Sequence, residues 1–168
     1  MTIDSRSFRK ALGCFASGVT VITALNSQTK IPAGVTVSAF SSLSLEPPLV
    51  MFCLGTQTSS LETFQSAGHF VVNVLSENQR DLSIRFASRA DEKWSGVAWE
   101  SWDSGAPVLA NCLTNLECSL VKTVEGGDHL IFIGKVEKMK HQEGGSPLVY
   151  FRGSYMDLGP KAPLVDLV

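Results

Sequence analysis

Residues 33–48, AGVTVSAFSSLSLEPP, form the stretch around which the chain is organised. The segment begins with the alternation of a β-strand, in which apolar residues share one side and small or polar residues share the other. The apolar side holds Val35, Val37 and Ala39, and the other side holds Gly34, Thr36 and Ser38. We expect the apolar side to face the core. We expect the other side to offer hydroxyls and, at Gly34, close approach of a ligand to the backbone.

The second half of the segment is rich in hydroxyls and ends in two prolines. Ser41, Ser42 and Ser44 are predicted to lie in a bend, and the prolines at 47–48 end regular pairing before the apolar strand 49–54. A strand, a hydroxyl-rich bend and a buried strand in this order suit the binding of a flat polar molecule. Serines also crowd ordinary loops, so a plain connecting loop is the alternative.

The composition is that of one globular domain spanning residues 1–168. Hydrophobic residues make up 44% and charged residues 18% of the chain, which is typical of a packed domain rather than a disordered one. The net charge is −2 and no basic stripe is present, so we expect no nucleic-acid binding. No apolar stretch approaches the ~20 residues of a membrane helix, and the start MTIDSRSFRK lacks a secretory signal.

The cysteines are predicted to be reduced thiols. Cys14, Cys53, Cys112 and Cys118 form no C-x-x-C pair, and two of them lie in apolar runs. Buried thiols of this kind suit the cytosol, so we expect a cytoplasmic protein. The histidines are scattered and no His, Cys and Asp cluster has ligand spacing, which argues against a metal site.

Capping residues and apolar spacing predict three helices. The first is capped by Asp4 or Ser5 and ends at Gly18. The second and third begin with capping-box spacings, and Gly68 closes the second. The apolar face of the first helix is formed by Phe8, Leu12 and Phe15, and the two capping boxes are Ser59 with Glu62 and Ser76 with Gln79.

Short strands fill most of the remaining chain. Many short strands with few capped helices predict a closed or nearly closed antiparallel barrel. A polar loop at 88–105 carries three tryptophans, and a loop of this length is typically functional or mobile. The tail from about residue 156 is expected to extend, either packing on a neighbour or fraying. Beyond the opening segment the predicted strands are 19–25, 70–75, 107–109, 116–125, 130–139 and 148–151, with glycine turns at 126–127 and 144–145.

Three motifs occur together in order: TVSAFSSLSLEPP, Gly-Asp-His at 127–129, and YFRGSY at 150–155. With them the chain resembles, from about Phe8 to Tyr155, the flavin reductase family of the FMN-binding split-barrel fold. Members of that family are the small reductase components of two-component flavin-dependent monooxygenases. The resemblance implies a mainly β fold with short helices, an antiparallel split β-barrel, and a homodimer with its site at the two-fold interface.

The resemblance also implies which residues contact the flavin. A helix start offers free N–H groups and a dipole that favour a phosphate, so the hydroxyls at 58–60 are placed there, although simple capping also explains them. No Gly-x-Gly-x-x-Gly, Walker or Gly-x-Ser-x-Gly motif favours another site. The flavin contacts are expected at Thr36, Val37, Ser38, Ser41, Ser42, Cys53, Leu54, Thr58, Ser59, Ser60, Arg85, Phe86 and Ala87.

His129 is the most informative ionisable residue, because the family's Gly-Asp-His histidine flanks the nicotinamide. Its ring is expected to orient the nicotinamide or to hydrogen-bond the substrate. Arg152 and Tyr155 match the family's late Arg-Gly-x-Tyr and are expected to close the pocket. Two residues depart from the family pattern: Ser154 stands where a basic residue is frequent, and Trp94, in the 91–97 segment, replaces a usual Phe.

The resemblance implies an NAD(P)H-dependent flavin reductase that passes a hydride from NADH or NADPH to FMN or FAD and supplies a separate monooxygenase. Two alternatives stay open. One is a tight-flavin oxidoreductase that reduces a quinone, iron chelate or corrinoid cobalt. The other is a non-enzymatic flavin-binding module.

Overall fold

Strands dominate residues 3–90 and 92–159, which the computed structural model describes. The mainly β fold with short helices is therefore confirmed, whereas the predicted tail beyond residue 159 lies outside the described residues. No helix among them is long and apolar enough to cross a membrane. The strands are β1 (Ser17–Gly18), β2 (Thr20–Leu25), β3 (Pro32–Val37), β4 (Phe40–Ser44), β5 (Leu49–Gly55), β6 (His69–Val74), β7 (Trp99–Ser101), β8 (Pro107–Leu109), β9 (Thr114–Gly126), β10 (His129–His141), β11 (Val149–Phe151) and β12 (Ser154–Met156). The helices are α1 (Ser5–Leu12), α2 (Leu61–Ser66) and α3 (Arg80–Ala87).

Seven strands form one antiparallel sheet in the order β3-β2-β6-β9-β10-β5-β4. The strands at its two edges, β3 and β4, are consecutive in the chain and are joined only by Ser38 and Ala39. Such a link spans at most roughly 11 Å, far less than the width of a flat sheet of seven strands. The sheet therefore curves until its edges meet at the link, where the Cys53 amide donates to the Ala39 carbonyl at 3.0 Å.

Phenylalanines from three sheet strands and α2 fill the core inside this curve. The rings of Phe52 and Phe132 stack with centroids 4.8 Å apart, and Phe70 meets Phe52 edge-on at 5.0 Å. Phe64 of α2 packs edge-on against both members of the stack. Alternation along β5 buries Val50, Phe52 and Leu54, as the period of a strand requires.

The structure corrects the expectation for the two sides of β3. Val35 and Val37 pack in the core as predicted, but Ala39 is exposed and lies beyond the end of β3, and α3 covers the other side of the strand. A Cβ on Gly34 would overlap the Phe86 ring, and the Thr36 hydroxyl donates to the Ser83 carbonyl at 2.7 Å. The glycine therefore makes room for a phenylalanine, not for a ligand on that face. The predicted serine-rich bend is also wrong, because those serines lie in β4.

Several local predictions are confirmed only in part. Asp4 caps α1, accepting from the Ser7 amide at 2.8 Å, but the helix ends at Leu12 rather than near Gly18. The Ser76 capping box forms and leads through a 3₁₀ turn into α3. The box at Ser59 is wrong, because α2 begins at Leu61 after an N-cap that makes no side-chain bond.

Three further details differ from the sequence-based expectations. The apolar face predicted for α1 is exposed, with Phe8 52%, Leu12 57% and Phe15 82% accessible. The hairpin between β9 and β10 turns at residues 127–128 rather than 126–127, since Gly126 pairs with His129. The 88–105 segment is not wholly loop, because it contains β7, which pairs with β8.

We predict that Gly134→Ala destabilises the fold. A Cβ at this position would overlap the Phe70 ring, and that ring is held by the core stack. Overpacking of this kind lowers the free energy of unfolding by about 1–3 kcal/mol, which urea denaturation measures. Gly144→Ala, which meets nothing within 4 Å, is the control and should change it by less than about 0.5 kcal/mol. Equal midpoints for the two variants would contradict this packing.

Candidate functional site

A groove of about 980 Å³ opens beside β3. Its floor is Ile31 with the first residues of β3, 32–35, and its walls come from two other parts of the chain. One wall is the turn after β5 with the start of α2, and the other wall is the end of α3 with residues 88–90, 93 and 94. Because β3 is an edge strand that pairs only with β2, one row of its backbone N–H and C=O groups lacks a strand partner.

Hydroxyl groups line the first wall. Thr58, Ser59, Ser60 and Thr63 all face the groove, and Ser60, at the N-cap of α2, makes no capping hydrogen bond. The backbone here is already organised, since the Thr58 amide donates to the Gly55 carbonyl and the Leu61 amide to the Thr58 carbonyl, each at 3.0 Å. Because α2 has only six residues, its dipole is weak. The hydroxyls are therefore the main groups of this wall that could bind a polar ligand.

His129 lies at the edge of the same wall. It pairs with Gly55, and its Nε2 is 3.7 Å from the point where a Cβ on Gly55 would lie. The Thr58 hydroxyl is 3.8 Å from that point. The amide and hydroxyl of Thr56 donate to the Asp128 carbonyl at 3.0 and 3.1 Å, fixing the β9–β10 turn against the start of the hydroxyl wall.

Asp128 orients the His129 ring. Its carboxylate lies 2.7 Å from His129 Nδ1, so in the neutral ring Nδ1–H donates and Nε2 is left as an acceptor. The hydrogen bond from His129 lowers the pKa of Asp128, with its charge and that of Arg9 adding to the effect. Both side chains are solvent-accessible, 50% for His129 and 92% for Asp128, so the interaction is weak in energy and serves orientation.

The opposite wall combines aromatic rings with two cations. Trp94 packs edge-on against Phe86 at 4.9 Å, above Gly34. Lys93 and Arg89 line the groove beside them, and Lys93 Nζ donates to the Phe86 carbonyl at 3.4 Å. Burial lowers the pKa of Lys93, so an anion in the groove would stabilise its charged form. Sequence reasoning missed these cations as ligands, and the only signal was the length of the 88–105 loop.

The groove brings together five of the predicted flavin contacts, Thr58, Ser59, Ser60, Phe86 and Ala87. Other predicted contacts face elsewhere. The Val37 and Leu54 side chains are buried in the core, at 5% and 3% accessibility, because strand alternation turns them inward. Arg85 Nη1 donates to the Ser95 carbonyl at 2.6 Å, which directs this guanidinium to the loop.

The predicted contacts near the sheet edges also lie outside the groove. Ser38 and the β4 residues Ser41 and Ser42 are exposed, and the Ser41 hydroxyl donates to the Ser42 carbonyl. Cys53 is half-buried, and burial raises the pKa of its thiol. Thr36 also lies outside the groove, because its hydroxyl donates to the Ser83 carbonyl of α3.

The predicted nicotinamide partners of His129 lie apart from it. Arg152 contacts the end of α1, where its amide donates to the Gly13 carbonyl at 2.8 Å. The Tyr155 hydroxyl lies 2.8 Å from Ser83 Oγ on α3, and the Arg80 guanidinium lies 5.2 Å from the centre of its ring. Neither Arg152 nor Tyr155 lines the groove.

The cysteines, all within the described residues, are free thiols. Burial raises the pKa of Cys112 to about 11 and that of Cys118 to about 12, so neither is a nucleophile near neutral pH.

Among residues 3–90 and 92–159, no three His, Cys, Asp or Glu side chains are placed to hold a metal ion.

Residues 12–159 match the family described as flavin reductase like domain. The chain belongs to this family. It is 37% identical over 161 residues to the flavin-dependent monooxygenase reductase subunit HsaB of Mycobacterium tuberculosis, covering 95% of this chain and 85% of the relative. It is 40% identical to the FMN reductase (NADH) SmoA of Agrobacterium fabrum, covering 90% and 85%.

Solved structures agree with this membership. The NADH:FAD oxidoreductase SgcE6 of Streptomyces globisporus, in complex with NAD and FAD fragments, superposes with a TM-score of 0.89 at 32% identity, covering 96% of this chain and 99% of that one. Flavin reductase PheA2 superposes with a TM-score of 0.86 at 39% identity, covering 94% and 100%. The recognition of the family from its three motifs is therefore confirmed.

We predict that the pKa of Asp128 lies below its ordinary value and moves back towards it in His129→Gln. A lowered pKa means that folding favours the carboxylate, so this contribution is present above the unfolded pKa and is lost as pH falls through the folded one. Carbon-detected NMR titration of the carboxyl measures this directly. The same pKa in the wild type and in His129→Gln would show that the pair does not form.

Proposed function

We propose that the groove beside β3 binds FMN or FAD and that the chain reduces it with NADH or NADPH. The observation that carries this proposal is the convergence, on one concavity, of hydroxyls, two cations, an aromatic wall and an edge strand, with His129 beside Gly55 at the edge of that concavity. Two of the relatives, the FMN reductase (NADH) SmoA and the NADH:FAD oxidoreductase SgcE6, support the same activity. The bound flavin supplies the hydride-accepting ring, and the chain supplies binding and orientation.

The two walls fit the two ends of a flavin. The hydroxyls at Thr58, Ser59 and Ser60 suit the phosphate, and Lys93 and Arg89 across the groove balance its charge. The unpaired backbone groups of β3 suit the pyrimidine edge of the ring, which needs both donors and acceptors. This division assigns the phosphate to side-chain hydroxyls rather than to a helix dipole.

His129 has a positioning role in this proposal. With Nδ1–H directed to Asp128, its Nε2 accepts a hydrogen bond, and the carboxamide of a nicotinamide offers the matching N–H. The ring therefore orients the donor beside the flavin without transferring a proton. Alignment of two reactants in one site is a major source of rate enhancement.

A homodimeric split barrel completes the proposal. The β4 edge is exposed together with Leu43 (48%) and Leu45 (89%), and α1 exposes its own apolar face. A second subunit covering the β4 edge would bring Ser38, Ser41 and Ser42 towards a flavin at the interface. We further propose a separate monooxygenase as the recipient of the reduced flavin, as the name of the HsaB relative suggests.

Anaerobic spectroscopy of the purified protein tests this function. We expect FMN or FAD to bind and NADH or NADPH to bleach the flavin absorbance. Turnover should require added free flavin, because the groove is open. Turnover with a permanently bound flavin and a quinone, iron chelate or cobalt acceptor would favour the tight-flavin alternative. Flavin binding without bleaching would indicate a binding module, and absence of binding would refute the proposal.

We predict that His129→Ala raises the KM for NADH or lowers kcat about tenfold while flavin affinity stays within twofold, since one orienting hydrogen bond is worth about 1.4 kcal/mol. Steady-state kinetics and flavin titration measure both quantities. The matched control is His141→Ala, at the other, exposed end of β10, which should leave both unchanged. Unaltered kinetics in His129→Ala would remove this residue from the site.

A further inference from the structure

The turn between β2 and β3 also lines the groove beside β3, through Asn26 and Thr29. Together with Ile31, where the floor of the groove begins, they form what we call the turn subsite. The groove has a volume of about 980 Å³, near the upper end of the roughly 300–1,000 Å³ of small-molecule pockets. With the flavin ring on β3 and its phosphate at the hydroxyls of residues 58–60, the turn subsite still has no ligand group.

Hydrogen bonds within the turn hold the Asn26 side chain by its oxygen. Asn26 Oδ1 accepts from the Gln28 amide at 3.0 Å and from the Thr29 amide at 2.9 Å. The main chain closes the same turn, since the Asn26 amide donates to the Ile31 carbonyl at 3.1 Å. Because Oδ1 is engaged, the two N–H groups of Nδ2 are the part of this side chain that can bind a ligand.

Ile31 gives the turn subsite an apolar surface, because its side chain is 64% accessible. Arg89, on the wall that carries Lys93, is exposed and lines the same groove. A guanidinium stacks on flat aromatic rings as well as pairing with phosphates. An apolar side chain, an N–H donor and a planar cation in one groove match a purine base, which has apolar faces and ring nitrogens that accept hydrogen bonds.

Membership of the family leaves the choice of flavin open. SmoA is named an FMN reductase and SgcE6 an NADH:FAD oxidoreductase. FMN ends at its phosphate, whereas FAD continues through a second phosphate and a ribose to adenine. The choice therefore depends on whether the groove offers a place for the additional adenosine phosphate.

We propose that this chain prefers FAD to FMN and binds the adenosine of FAD at the turn subsite. This inference rests on the proposed function and deepens it by naming the flavin. Arg89 and Lys93 supply one cation for each of the two phosphates. Beyond them, Asn26 Nδ2 donates to the purine and Ile31 packs against its face.

The test compares the two flavins in the double variant Asn26→Asp/Ile31→Thr. Aspartate keeps the oxygen that accepts from the turn amides but removes the N–H donors, and threonine keeps the β-branched shape while adding a hydroxyl. Calorimetric titration of the flavin-free protein with each oxidised flavin gives the two dissociation constants. Physiological salt is used, because it screens the added carboxylate beyond about 8 Å.

We expect the wild type to bind FAD at least tenfold more tightly than FMN. In the double variant the Kd for FAD should rise at least tenfold, whereas the Kd for FMN should stay within threefold because FMN does not reach the turn subsite. Retained FMN binding also shows that the variant is folded. The single variant Ile31→Thr, which leaves the hydrogen bonds of Asn26 intact, should raise the Kd for FAD by a smaller factor and serves if the double variant folds poorly.

Two controls match the substitutions on surfaces outside the groove. Asn78→Asp adds the same charge on the exposed 3₁₀ turn before α3, and Val121→Thr replaces another exposed β-branched residue, on β9. Both should leave the two dissociation constants unchanged. An equal change in either control and in the double variant would overturn the proposal.

The outcomes separate this inference from the function on which it rests. Equal affinities of the wild type for FMN and FAD, an unchanged Kd for FAD in the double variant, or an equal loss of both flavins would overturn the adenosine assignment while flavin reduction stands. Binding of neither flavin by the wild type would refute the proposed function itself, and the inference with it.

Discussion

The two-residue link between β3 and β4 is the constraint on which the rest of the structure depends. Ser38 and Ala39 join the two edges of a seven-stranded sheet, so the sheet can exist only if it curves until those edges meet. The curve encloses the phenylalanine core on the inside. It also leaves β3 as an edge strand beside the end of β5, and the groove with its hydroxyl wall lies there.

Close packing on a glycine builds the other side of the groove. Phe86 occupies the space that a side chain at residue 34 would take, and Trp94 packs edge-on against that ring. This contact fixes the end of α3 and the start of the long loop against the sheet. Lys93 lines the groove with its Nζ at the Phe86 carbonyl and is partly desolvated, so an anion bound in the groove would stabilise its charged form.

Local signals were predictable from sequence, whereas the partners of each face were not. Alternation located β3, and the capping box at Ser76 located the start of α3. Alternation does not show what covers a polar face, so it predicts a ligand at Gly34, where the structure has the Phe86 ring of α3. Likewise, the 3.6-residue period of apolar residues predicts the apolar face of α1. It does not show that this face is exposed rather than packed in the core. His129 was identifiable only through the family's motif, because its neighbours come from β5.

A crystal structure of the protein with FMN bound is the decisive measurement. We expect the isoalloxazine to lie against the outer edge of β3 and the phosphate to lie within hydrogen-bond distance of the hydroxyls at residues 58–60. Density for the flavin elsewhere, with those hydroxyls meeting only water, would contradict it.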